Sequence, residues 1–173
     1  MKDETKQYVA ASVRDFRLPR YQEIPGMGLY LEQTTKYIAE ILAPLQENAI
    51  TGSMISNYVK KDLVANPVKK LYGREQIAYL IFIALAKNVL SLDNLARFIA
   101  LQKLTYTPER AYNYICDEFE NVLFYVFGLK DTLDEVGVDS TDEKLMLRTT
   151  IIALAHKIYL DKCFEALAGE AEE

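Results

Sequence analysis

Apolar positions recur at helical spacing along most of the chain. From Leu29 to Gln46 they fall at Leu31, Tyr37, Ile38, Ile41, Leu42 and Leu45, a stripe that faces a core, and Pro44 marks a kink or the last turn. A shorter helix is predicted to follow, capped by Thr51 or Ser53, with Met54, Ile55, Tyr58 and Val59 on its apolar face. It ends near Lys61, leaving Asp62 where a left-handed residue is usually required. Asn66-Pro67 forces an extended connector through Val68–Tyr72. Gly73 opens the next helix, whose stripe is Ile77, Leu80, Ile81, Ala84 and Leu85. Ser91 caps a helix over Leu92–Leu101, with Asp93 in its first turn. Thr107-Pro108-Glu109 starts a long helix running to Phe127. Ser140-Thr-Asp-Glu143 reads as a capping box opening a final helix that ends near Gly169.

Upstream of these, Met1–Ser12 reads as an arm or marginal helix, and Phe16–Gly26 as extended because proline restrains its neighbours. No strand longer than the connector is expected, so the fold class is all-α. The pattern divides into residues 1–28 (arm and extended segment), 29–101 (a helix, turn and helix unit) and 102–173 (a helical region sharing one core with it). In the last helix, apolar residues from Leu145 to Leu167 spread around more than one face. Such a helix is buried, either as the central post of the monomer or against a second subunit, and a homodimer is the expectation.

Charge alters this picture locally. The chain of 173 residues is half apolar and carries a formal net charge of −5, a sum that does not favour nucleic acid. Between Ser53 and Arg74, however, five cations face one anion, whereas from Asp117 to Glu143 nine anions face one cation. The apolar run Ala78–Ala86 is about half the length a membrane-spanning helix requires. The first residues lack the apolar core of a secretory signal, so a cytoplasmic protein without membrane contact is expected.

The positive stretch coincides with the short helix. Ser53, Ser56, Asn57 and Lys60 lie on the face opposite its apolar one. These are groups able to meet bases or phosphates, although a solvated polar face has the same composition. Asn57 is the candidate base reader, because an amide pairs bidentately with adenine. Lys60, Lys61, Lys69, Lys70 and Arg74 are the candidate phosphate contacts.

Leu63-Val64, Pro67, Lys70-Leu-Tyr72, Glu75 and Leu90-Ser-Leu-Asp-Asn-Leu95 resemble the winged helix-turn-helix of MerR-type regulators. That resemblance implies a recognition helix at Ser53–Lys61, a wing carrying Lys70 and Tyr72, and a DNA-binding transcriptional regulator. The family's Arg-Tyr pair on that helix is replaced by Ser56 and Asn57, its Gly by Asp62, and its wing is longer. Over nearly its whole length the chain also resembles an uncharacterised bacterial group, domain of unknown function 1836. The residues that carry this are Arg17-Leu-Pro-Arg-Tyr21, Ile50–Val59, Pro67-Val-Lys-Lys70 and Glu75–Leu80. Two functions therefore stand: a MerR-like DNA reader, or an interaction module that keeps the helix-turn-helix fold without DNA contacts.

The remaining constellations are poorer in chemistry. His156 lies on an apolar helix with no ligand at metal spacing and is expected to be structural. Cys116 and Cys163 are expected to be free thiols buried as small apolar groups. The acidic run Asp131, Asp134, Asp139 and Asp142 lacks the spacing of a calcium loop. Neither a phosphate loop nor a nucleophile motif is present, so no enzyme activity, metal or cofactor is expected. Tyr106, Tyr112, Tyr114, Tyr125 and Tyr159 suit helix-packing margins or a small-molecule effector pocket.

Overall fold

The apolar run Ala78–Ala86 becomes the centre of the molecule. In the computed structural model, which describes residues 2–45, 50–138 and 140–170, it lies in a helix over Arg74–Ala86 whose residues from Ile77 onward are all buried. The sequence pattern predicts a stripe there, and the structure covers the helix on every side instead. Around it, in chain order, stand α1 (Asp3–Ala11), α2 (Leu31–Leu42), α3 (Gly52–Lys60), α4 (the buried helix), α5 (Leu92–Thr105), α6 (Pro108–Val126) and α7 (Asp142–Glu170). Among the described residues there is no strand; two isolated bridges, Leu29 with Tyr72 and Val68 with Leu71, are the only β-pairing. The fold is all-α.

Most boundaries follow their local signals. Thr51 and Ser91 accept from the backbone N–H groups of Met54 and Asn94, and Thr107 accepts from that of Arg110 with Pro108 in the first helical position. Pro44 sits in a 3-10 turn at Ala43–Leu45 that closes α2. The expected end of that helix, Gln46, lies outside the described residues, as does Asp139 of the acidic run. Of the two readings of Met1–Ser12, the helix is the one found: α1 packs Val9 into the core and lies against α7. Two boundaries differ from expectation. Helix α5 runs to Thr105 because Gln102 is buried and holds the Tyr106 carbonyl. Helix α7 is capped by Thr141, which accepts from the Lys144 N–H, one residue later than the Ser140 box.

The extended segment is riveted to α6. Arg20 donates through both terminal nitrogens to Glu120, at 2.7 and 2.8 Å, and pairs with Asp117 at 2.9 Å. The Leu18 N–H also donates to Glu120, so a planar bidentate pair, which lysine could not form, fixes residues a hundred positions apart. Leu18 and Ile24 are thereby driven into the core. Helices α6 and α7 pack along each other and close the other side. Helix α7 is not apolar all round: Leu145, Leu160 and Phe164 point outward, so α4 rather than α7 is the central post.

Candidate nucleic-acid interface

Helix α3 divides cleanly into two faces. Ile55 and Tyr58 are buried, with Met54 and Val59 half-buried beside them, and they dock the helix against α2. Ser53, Ser56, Asn57 and Lys60 are exposed on the other face. The Ser56 hydroxyl donates to the Gly52 carbonyl at 2.9 Å, which leaves its lone pairs outward. Among the described residues the Asn57 amide has no partner, so all its donors and acceptors are available. The helix stops where Asp62 enters the left-handed region at φ 58. The Leu63 N–H then returns to the Tyr58 carbonyl at 3.0 Å, and Leu63 and Val64 turn into the core.

The connector is a hairpin, not a simple extended segment. Val68 and Leu71 exchange backbone hydrogen bonds of 3.0 and 2.9 Å, with Lys69 and Lys70 as the two turn residues between them. Both have positive φ, 51 and 66, the pattern of a type I′ turn. Its base is held twice. Leu29 and Tyr72 exchange backbone bonds of 2.9 and 2.8 Å. The Gln76 amide donates to the carbonyls of Ala65 and Asn66 while its oxygen accepts from the Gly73 N–H. The tip, Val68 to Lys70, is exposed.

Residues 19–115, more than half of the chain, match the family described as "Domain of unknown function (DUF1836)". The chain belongs to that family. No curated protein and no solved structure matches it. The DUF1836 match runs from the Arg20 segment through α3, the hairpin, α4 and α5 into α6. Helices α1 and α7 lie outside it.

The nine candidate residues separate into two groups in this DUF1836 chain. Ser53, Ser56, Asn57, Lys60, Lys61, Lys69 and Lys70 are exposed on α3, its end and the hairpin tip. Tyr72 and Arg74 are not, which corrects their assignment as open contacts. Tyr72 is 5 % exposed, with burial raising its hydroxyl pKa. Arg74 donates to the Ile24 carbonyl at 2.9 Å and to the Gln22 side chain at 2.8 Å, with its guanidinium 5.9 Å from the Tyr21 ring centre. Both tie the hairpin base to the rest of the fold. Asp62 is exposed at the end of α3, next to the lysines.

Other reactive groups are subdued. Cys116 and Cys163 are free and buried, and burial pushes the Cys116 thiol up to about 12, away from thiolate chemistry. His156 is exposed, with Nδ1 2.9 Å from the Ile152 carbonyl one turn earlier. Among the described residues no three His, Cys, Asp or Glu side chains form a metal-binding group, and no helix is long and apolar enough to cross a membrane. One feature has only a faint counterpart in the sequence pattern: a cavity of about 460 Å³ bounded by α5, α6, α7 and Val136–Val138. Its walls come from segments far apart in the chain; the only sequence signal was the density of tyrosine around Tyr106 and Tyr114.

Proposed function

We propose that this protein is a sequence-specific DNA-binding transcriptional regulator whose reading head is a MerR-like winged helix-turn-helix made by α2, α3, the hairpin, α4 and α5. The observation that carries this reading is the hairpin tip. A non-glycine residue in the left-handed region costs about 1–2 kcal/mol, and a type I′ turn selects Asn-Gly. Two consecutive lysines held there, exposed, at φ 51 and 66, lower stability in exchange for a fixed pair of cations. Strain of this kind concentrates where function requires it. In this reading Asn57 enters the major groove and reads adenine. Lys60, Lys61, Lys69 and Lys70 neutralise phosphate, and Ser53 and Ser56 contact the backbone or base edges.

A palindromic site needs two copies. Leu160, Phe164 and Leu167 are 53, 68 and 38 % exposed and stand at i, i+4 and i+7, one stripe along α7. A two-fold partner lying along α7 would cover them. Phe164→Glu is therefore expected to convert a dimer into a monomer in light scattering at micromolar concentration, with helical content unchanged. A wild-type chain that is already monomeric there would remove the dimer from the reading.

Selection from mixed genomic fragments across a salt series tests the function itself. Four phosphates met per subunit predict a log–log salt slope of roughly −7 for the dimer. Asn57→Ala is expected to relax preference at one base step, by about 1–3 kcal/mol of discrimination. A flat salt dependence with no selected sequence favours the interaction module, for which exposed Asp62 beside the lysines is the supporting observation.

A further inference from the structure

The cavity between α5, α6 and the start of α7 is built like a ligand site. Its volume of about 460 Å³ falls within the range of small-molecule pockets. Phe98, Tyr106 and Tyr114 supply aromatic surface, and Ile115 and Leu147 fill the wall between them. Two cations also line it. The Lys144 ammonium donates to the Gly137 carbonyl at 3.1 Å and lies 5.7 Å from the Tyr114 ring centre. The Arg110 guanidinium lies 5.2 Å from the Tyr106 ring centre.

These contacts decide the charge of the occupant. A cationic ligand would bring a third positive charge beside Arg110 and Lys144, which already stand at the Tyr106 and Tyr114 rings. Two carboxylates reach the same wall, and each has a partner in the fold: Asp117 pairs with Arg20 at 2.9 Å, and Glu143 accepts from Thr105 at 2.7 Å. Lys144, by contrast, donates to a neutral carbonyl with one of its three N–H groups, so a carboxylate can add an ion pair there. The nearby acids make a dianion such as phosphate unfavourable, because like charges would be brought together at short range. A single negative charge on a flat apolar body meets all these conditions.

We propose that this cavity binds a planar aromatic monocarboxylate, with its ring among Phe98, Tyr106 and Tyr114 and its carboxylate on Lys144. The position suits regulation. On the inner wall Gln102 donates to the Tyr106 carbonyl at 3.0 Å and accepts from the Tyr79 hydroxyl at 3.0 Å. Tyr79 belongs to α4, the helix that begins immediately after the hairpin. A ligand pressing on Gln102 is thus one hydrogen bond, through the Tyr79 hydroxyl, from the helix that follows the hairpin. Binding itself is independent of the DNA reading and is tested without nucleic acid.

The probe is 2-naphthoate, titrated into the full chain by calorimetry, with uncharged 2-naphthamide as its partner. One saturable site per chain is expected for naphthoate, with naphthamide about tenfold weaker, the scale of one charge-assisted hydrogen bond. Lys144→Met should weaken naphthoate about tenfold or more, and naphthamide, which offers only a neutral acceptor, by a smaller factor. Lys157→Met, elsewhere on α7, should change neither. Ala111→Trp, which fills the cavity, should abolish both. The proposal is overturned by equal binding of the two probes, by naphthoate binding that survives Lys144→Met or Ala111→Trp, or by absence of saturable binding at millimolar naphthoate. If Ala111→Trp does not fold, the Lys144→Met comparison carries the test alone.

Discussion

Arg148→Met is expected to destabilise the fold by about 3–5 kcal/mol near neutral pH, the scale of leaving a buried charge without its partner. Glu118 lies on α6 with its side chain fully buried, and Arg148 on α7 brings Nη1 to 3.1 Å from its carboxylate. Arg148 is anchored in turn by donating to the Asp134 carbonyl. Neither Glu118 oxygen has a well-formed hydrogen bond among the described residues, so the guanidinium is its main compensation. Burial raises the Glu118 pKa and Arg148 pulls it back. Without Arg148 it rises further. A carboxyl whose folded pKa exceeds its unfolded one holds a proton that the unfolded chain has already released. Stability then falls as pH rises from the unfolded value through the folded one. The loss caused by Arg148→Met should therefore be largest at about pH 8 and much smaller at about pH 4.5, measured by urea unfolding. The double variant Glu118→Leu with Arg148→Met should recover most of it, because no charge remains to be buried. An equal deficit at both pH values would show that Arg148 acts through packing alone.

That pair illustrates which parts of the fold were legible in the sequence. Signals acting within one or two turns were readable. Thr51, Ser91 and Thr107 cap their helices as expected, and Asp62 adopts the left-handed conformation its position required. Features set by distant partners were not. Nothing in Val68–Tyr72 announces a type I′ turn, since lysine has no preference for positive φ. The turn is imposed by Tyr72 pairing with Leu29 and by Gln76 holding the Ala65 and Asn66 carbonyls of the approaching segment. Tyr72 and Arg74 looked like surface contacts because their partners lie some fifty residues earlier, around Gln22, Ile24 and Leu29. The all-round burial of α4 depends on α2 before it in the chain and on α6 and α7 after it. Its nine-residue apolar run was visible, but periodicity alone could not tell a covered helix from a striped one.

Replacing Lys69-Lys70 by Asn-Gly is expected to raise stability and lower DNA affinity together. On the stability side, Asn and Gly accept the φ values of 51 and 66 that lysine adopts only with strain, so the gain should be about 1–2 kcal/mol. The hairpin keeps its Val68–Leu71 bonds and its anchors on Gln76 and Leu29. On the binding side, two phosphate contacts per subunit disappear, four for a dimer. At about 0.1 M salt each such contact is worth roughly tenfold, so affinity should fall by about 10⁴-fold, and the salt slope from roughly −7 to roughly −4. Because these lysines meet phosphate and not bases, the loss should be uniform across DNA sequences, unlike that of Asn57→Ala. Lys69→Glu with Lys70→Glu should weaken binding further, adding repulsion, without the gain in stability. Opposite signs in the two measurements identify the tip as a site where cations are kept against the backbone's own preference. A stabilised Asn-Gly variant that keeps full affinity and an unchanged salt slope would show instead that the hairpin never meets the phosphate backbone.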